Sequence, residues 1–385
     1  MIKLVSDTID RQDINALVEW LQQDPIPRLT KGDLTKQLEE KWAKKIGTKY
    51  SVFVNSGSSS ILLTLAALKE SGKLRNNKIV VPALSWATDV SSPMILGLDP
   101  IMCDCNLTDL SCDLKALEEI FERNNPSVLI LVSPLGLIPE MEDVINLCKK
   151  YNVLLLEDVC ESMGSKYKNK YLGSFGFASF FSMYFGHHLS TIEGGFINTN
   201  DEEFYHMLLM MRSHGWDRDL PEWKRNELRQ KYNCTDFDAL YNFYVPGFNL
   251  RSTDLQAFIG LRAIDKLDTY VKRRHFNYIH YRDNIKTNKL ILQMSSQDKQ
   301  ISSFAIPIVH EKRNEIVKEL TDNNIEVRPL IAGDMSNKPM WKEKYIKPNL
   351  PNAELLESQG FYIPNHQDLT IVDIEKIINI INKYE

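Results

Sequence analysis

Tyr50-Ser51-Val52-Phe53-Val54-Asn55-Ser56-Gly57-Ser58-Ser59-Ser60 reads as an apolar strand, a Gly/Ser turn and the opening of a helix. A strand that hands over to a helix in so few residues is the repeating unit of a mostly parallel sheet covered on both faces. The same alternation continues outward. Strands are expected over 78–81, 128–132 and 153–156, with helices over 60–70, 114–123 and 143–151. The first two-thirds of the chain therefore predict an α/β domain, whose ligands gather at the carboxyl ends of the strands. Near Asp265 the pattern changes. A strand over 304–309, a helix over 314–323 and a strand over 325–328 predict a smaller α+β domain, joined by a long helix around 253–274. The expected division is 1–264 and 265–385.

At 385 residues the chain can bury a large core. A net charge of −5 leaves neither a basic footprint for nucleic acid nor a polybasic membrane patch. The first seven residues lack the apolar core of a signal peptide. The most apolar run, 128–138, is broken by Pro134 and Gly136 and is too short to span a bilayer. A cytoplasmic protein is expected. The six cysteines show no disulfide spacing. Cys103, Cys105 and Cys112 cluster without a fourth ligand, so they read as small buried hydrophobes and no metal is expected.

Three segments carry the chemistry. Asn55 to Ser60 offers backbone N–H groups and hydroxyls at a helix start, an arrangement that holds a phosphate, although a Ser-rich cap explains it equally well. Glu157-Asp158 ends an apolar strand, where an Asp can accept from a protonated pyridine nitrogen or simply cap the next element. Pro82-Ala83-Leu84-Ser85-Trp86 brings an aromatic ring to the same region, for stacking or for the core. Those parts suit pyridoxal 5'-phosphate (PLP). An enzyme of that cofactor normally binds it through a lysine amine. Yet no lysine occurs between Lys170 and Lys224, and the middle of that gap reads Phe185-Gly186-His187-His188-Leu189. Adjacent side chains of an extended segment point to opposite faces, so His187 and His188 are not expected to grip one metal, and His188 is expected to pack.

These motifs, in this order, resemble the nucleotide-sugar aminotransferase family of PLP fold type I (aspartate aminotransferase-like) over essentially the whole chain. The match continues through Glu161-Ser162-Met163-Gly164, Gly173-Ser174-Phe175-Gly176, Glu193-Gly194-Gly195, Arg212-Ser213-His214-Gly215-Trp216, Pro246 to Arg251, Arg328-Pro329 and Asn365-His366-Gln367. The resemblance implies that Gly57, Ser58 and Ser182 hold the PLP phosphate, with Asn249 reaching it from a neighbouring subunit of a homodimer. It implies that Asp158 pairs with the ring nitrogen, Trp86 stacks on the ring and Glu161 lies near it. His187 falls where the family's lysine sits, His214 matches a second active-site histidine, and Arg328 contacts the amine donor or the sugar nucleotide.

With histidine at the lysine position, the activity implied is not plain transamination. It is removal of the 3-hydroxyl from a GDP-4-keto-6-deoxy sugar, with PLP and pyridoxamine 5'-phosphate as cofactor forms and glutamate as amine donor. One imidazole acting as base and then as acid suits a pKa near neutrality. Two alternatives stand beside this reading: a nucleotide-sugar aminotransferase, and an inactive homologue that only binds the nucleotide sugar. The loop 133–139 is distinctive. Because sugar-contacting loops set substrate size, a heptose stays open beside the hexose.

Overall fold

The computed structural model describes residues 1–385. Two helices, α1 (Arg11–Leu21) and α2 (Asp33–Ile46), precede the sheet. The strands and helices of the large domain follow as β1 (Tyr50–Val54), α3 (Gly57–Glu70), β2 (Lys78–Pro82), α4 (Ala87–Ile95), β3 (Asp99–Cys103), α5 (Leu114–Asn124), β4 (Val128–Val132), α6 (Met141–Tyr151) and β5 (Leu154–Asp158). After the two-residue strands β6 (Lys166–Tyr167) and β7 (Lys170–Tyr171) come β8 (Ala178–Ser182), β9 (Gly195–Thr199), α7 (Glu202–Arg212) and α8 (Glu222–Lys231). The long α9 (Asp254–Asn284) leads to β10 (Lys299–Gln300), β11 (Ala305–Val309), α10 (Arg313–Asp322), β12 (Arg328–Pro329), α11 (Pro339–Lys342), α12 (Pro351–Gln359), β13 (Gly360–Pro364) and α13 (Ile371–Ile381).

The main sheet runs β1-β9-β8-β5-β4-β2-β3. Every neighbouring pair is parallel except the two that β9 makes, with β1 and with β8. One reversed strand in an otherwise parallel sheet has a direct consequence for the site. The carboxyl ends of β1, β5 and β8 and the amino end of β9 meet at one edge, with Gly195 opposite both Val54 and Ser182. The inner strands are buried on both faces, as their unbroken apolar runs require.

Several boundaries differ from the sequence expectation, each for a physical reason. Helix α3 begins at Gly57 rather than Ser60, because Ser56 is its N-cap and its hydroxyl accepts from Ser59 N at 3.0 Å. Strand β5 extends through the acids to Asp158, carried by parallel pairing with Val132 on one side and Phe180 on the other. The segment expected as a strand over 325–328 pairs with β13 only at Arg328 and Pro329, while Ile325 bridges to Ile2. The connecting helix is longer than expected and runs through Asp265 without a break, so the expected domain boundary falls inside it. Its N-terminus is fixed by a capping box between Thr253 and Gln256.

In the second half of α9, Arg274 is fully buried and donates to the carbonyls of Phe304 (3.0 Å) and Asn365. Asn365 in turn donates to Arg274 O at 3.1 Å and accepts from Asn277 at 3.1 Å. The Asn365-His366 motif thus ties the smaller domain to α9. Arg212 has an equivalent structural role in the large domain, binding Glu39, Phe53 O and Asp219.

Candidate active site

A cavity of about 540 Å³ opens at the sheet edge where β1, β5 and β8 end, closed from the other side by Phe304, Arg328 and Tyr362 of the smaller domain. The first turn of α3 forms one wall. Its leading N–H groups have no partner inside the helix, and the helix dipole adds positive potential there. Gly57 is pressed against β8, so that a Cβ on it would lie 2.7 Å from Ser182 Cβ. Ser58 is exposed to the cavity and shares a 2.9 Å hydrogen bond with Thr88 Oγ1. Gly195 completes the close approach: a Cβ there would meet Ser56 O at 2.4 Å. Backbone amides at a helix start, hydroxyls and room from missing side chains make a cradle for a phosphate.

The acidic wall comes from the end of β5. Consecutive residues of a strand face opposite ways, and the two acids have different surroundings. Glu157 turns away from the cavity and accepts from the N–H groups of Gly173 (2.7 Å), Phe175 (2.7 Å) and Gly176 (2.6 Å), which explains the Gly173-Ser174-Phe175-Gly176 motif structurally. Asp158 faces the cavity and accepts from Cys160 N at 2.9 Å. Burial pushes its pKa up, opposed by the hydrogen bond from Cys160. Glu161 accepts from Leu135 N at 2.9 Å, and burial raises its pKa to about 7 against that hydrogen bond, with the charge of Asp158 adding to the rise. Trp86 caps α4 on the rim, 60% exposed, with its ring face open to the cavity's contents.

The histidine pair sits in a turn, not in the extended segment expected. The turn is pinched shut by Met183 N to Gly194 O and Thr191 N to Met183 O, both 2.9 Å, and His187 N donates to Tyr184 O at 2.9 Å. The two rings still part company. His187 lines the cavity, with its ring 5.5 Å from that of Phe304 and its Nδ1 unpartnered. His188 is fully buried, and its Nε2 lies 3.1 Å from Ser302 O, a packing role as expected. The pKa of His187 is not near neutrality. Burial first, then the Arg274 charge, lowers it to about 4, with the Cys160 carbonyl pulling the other way.

The structure therefore brings Gly57, Ser58, Trp86, Asp158, Glu161, Ser182, His187 and Arg328 around one cavity. It does not bring His214 or Asn249 there within a single chain. Those two share a short ladder in which Ser213 pairs with Asn249 and His214 N donates to Phe248 O at 2.6 Å, and the His214 ring packs on Trp216. Loop 133–139 is buried throughout and does not line the cavity, so it supports Glu161 from beneath instead of touching a sugar. Sequence reasoning assigned no role to Asp89, Glu193, Phe304 and Tyr362. Asp89 left a signal as a carboxylate one turn after Trp86, and Glu193 as part of the Glu193-Gly194-Gly195 motif. The others reach the cavity from the smaller domain, by contacts no local pattern encodes.

The fit to PLP rests on what lines this one cavity: a helix-start cradle, a buried carboxylate and an exposed indole. The comparisons agree. A 31% identical relative from Yersinia pseudotuberculosis, covering 99% of this chain and 98% of its own length, is a GDP-4-keto-6-deoxy-D-mannose 3-dehydratase. A relative of the same name from Escherichia coli O55:H7 is 32% identical over 94% of this chain and 95% of its own. A solved structure of GDP-4-keto-6-deoxymannose-3-dehydratase with a trapped PLP-glutamate geminal diamine superposes with a TM-score of 0.90 at 31% identity, covering 99% of this chain and all of that one (100%). The DegT/DnrJ/EryC1/StrS aminotransferase family model matches residues 7–382. That match spans the sheet, the cradle and the acid-bearing strand alike, and this chain belongs to the DegT/DnrJ/EryC1/StrS aminotransferase family.

Proposed function

We infer that this chain is a PLP-dependent 3-dehydratase of a GDP-4-keto-6-deoxy sugar. One observation carries the reading: the residue that the turn after β8 presents to the cavity is His187, and no lysine lines that cavity. PLP held there would supply an electron sink and, in its amine form, a nucleophilic nitrogen for a ketone substrate. The chain's residues do the rest. The α3 amides, Ser58 and Ser182 hold the phosphate, and Trp86 covers the ring. Asp158 keeps a proton on the ring nitrogen. His187 is neutral over the physiological range, so it can take a proton from the carbon beside the cofactor nitrogen. Once protonated, an imidazole of low basicity is a strong donor, and it delivers that proton to the departing C3 oxygen, which leaves as water. Arg328, exposed on the opposite wall, meets the anionic groups of glutamate or of the sugar nucleotide.

Glutamate as amine donor and a homodimer are part of the proposal. The relative trapped with a PLP-glutamate adduct supports the first. The ladder that joins His214 to Asn249 outside the cavity supports the second, because it would carry both residues together into a partner's site. The cytoplasm remains the compartment of choice, on six unpaired cysteines. No helix is long and apolar enough to cross a membrane.

The test is mass spectrometry of the nucleotide sugar after incubation with PLP, glutamate and GDP-4-keto-6-deoxy-mannose. A product lacking one oxygen, with ammonia released, is expected. A product carrying nitrogen would mean transamination, and an unchanged hexose would direct the search to the heptose. Mixing His187→Asn and Asn249→Ala chains tests the shared site: recovery of activity in the mixture requires cavities completed by a partner.

A further inference from the structure

Asp89 lies in the first turn of α4, is fully buried, and lines the cavity beside Asp158. A carboxylate this close to a helix start would ordinarily turn back to accept backbone N–H groups. Asp89 does not: neither of its oxygens has a donor in the protein. The Asp158 carboxyl lines the same cavity, and its charge is the first among those that act on Asp89. The charges acting on it, Asp158 from β5 and Glu161 from the loop that follows, are both negative, and no cation faces it. Two adjacent buried carboxylates without a cation cannot both ionise.

We propose that Asp89 is a positioning residue, a neutral acid whose O–H donates to Asp158. This rests on the PLP reading of the site for its purpose, though not for its detection. Asp158 has one donor from the backbone, Cys160 N. A second donor from Asp89 fixes the rotation of the carboxyl group and stabilises its anion. The remaining lone pairs are then aimed at the ring nitrogen. Without that donor, Asp158 is a desolvated acid that holds its own proton, and a protonated acid cannot keep the pyridine nitrogen charged. Asp89 thereby keeps the charge on Asp158 and the proton off it.

Infrared spectroscopy of the apoprotein, wild type against Asp89→Asn, reads the proton directly. The carbonyl band of a protonated carboxylic acid is expected in the wild type at neutral pH and should be lost in Asp89→Asn. Identical spectra in that region would overturn the proposal, whatever the enzyme does to a sugar. The positioning role is read by PLP affinity and the pH profile of kcat/KM. Asp89→Asn, whose amide can still donate, should bind PLP within about threefold of the wild type. Asp89→Val should lose about tenfold to a hundredfold, the span of one hydrogen bond to a charged group, and its acid limb should move to higher pH by about one unit. A Val variant that folds, binds PLP as the wild type does and keeps its pH profile would sink the idea, as would equal losses in the Asn and Val variants.

Discussion

Gly57 and Ser182 touch so closely that a single methyl group on Gly57 would lie 2.7 Å from Ser182 Cβ and 3.3 Å from Ser182 Cα. The glycine is in an ordinary helical conformation, so the demand is for space and not for an unusual backbone angle. Strand β8 and the start of α3 are thereby held at backbone contact, which points helix amides and a strand-end hydroxyl at the same spot.

Gly57→Ala should therefore separate cofactor binding from folding. The Cβ must push β8 and α3 apart, an overpacking cost of about 1–3 kcal/mol. Weaker PLP binding, read by fluorescence or absorbance titration, is expected with secondary structure intact by circular dichroism. An Ala variant that binds PLP like the wild type would remove the cradle from this position.

His187→Asn should leave PLP binding in place and lower kcat for dehydration by about 10²–10⁴, the range of a lost general acid–base group. Half-reaction absorbance changes with glutamate alone would survive if His187 acts only on the sugar-bound form. They would fall equally if it also moves the proton in the amination step.

Glu161 makes stability depend on pH. Its pKa is raised from 4.5 to about 7. An acid with a raised folded-state pKa contributes stability that is fully present below the unfolded value and is lost as pH rises through the folded one. Between pH 4.5 and about 7 the wild type should lose stability relative to Glu161→Gln, as read from urea midpoints across that window. Parallel curves for the two proteins would place the Glu161 pKa at its ordinary value.

Arg274 sets the basicity of His187 from a distance. Its charge lowers the His187 pKa, second to burial. Arg274→Gln keeps a donor for the Asn365 and Phe304 carbonyls but removes the charge, so the His187 pKa should rise. NMR titration of the His187 ring, or a shift of the matching limb of the kcat/KM profile to higher pH, would show it. A loss of stability of about 1–3 kcal/mol accompanies the change if the amide cannot satisfy every carbonyl.

Much of the large domain was legible because its signals are local. The apolar runs at β1 and β4 were bounded correctly, since flanking turn residues and periodicity act over a few positions. The acids Glu157 and Asp158 were likewise read at the end of their strand, where pairing with β4 and β8 holds them. The reading failed where tertiary pairing overrides pattern: of the strand expected over 325–328 only Arg328 pairs with β13, while Ile325 bridges to Ile2. The site was legible as a set of residue types at matching positions. Its electrostatics were not: the low pKa of His187 depends on Arg274, eighty-odd residues away in the chain and brought near by α9. Asp89 went unread for the same reason, because its state is decided by a partner on another element.

Helix α9 is an unbroken rod of 31 residues, with Ala257, Leu267, Tyr278 and Tyr281 all seated in one continuous core and Arg274 bonded to the carbonyls of Phe304 and Asn365. A rod shared by two bodies leaves no swivel between them at that crossing. Arg274 rides on that rod, so the charge that acts on the His187 imidazole is fixed in place by the same element that joins the two bodies.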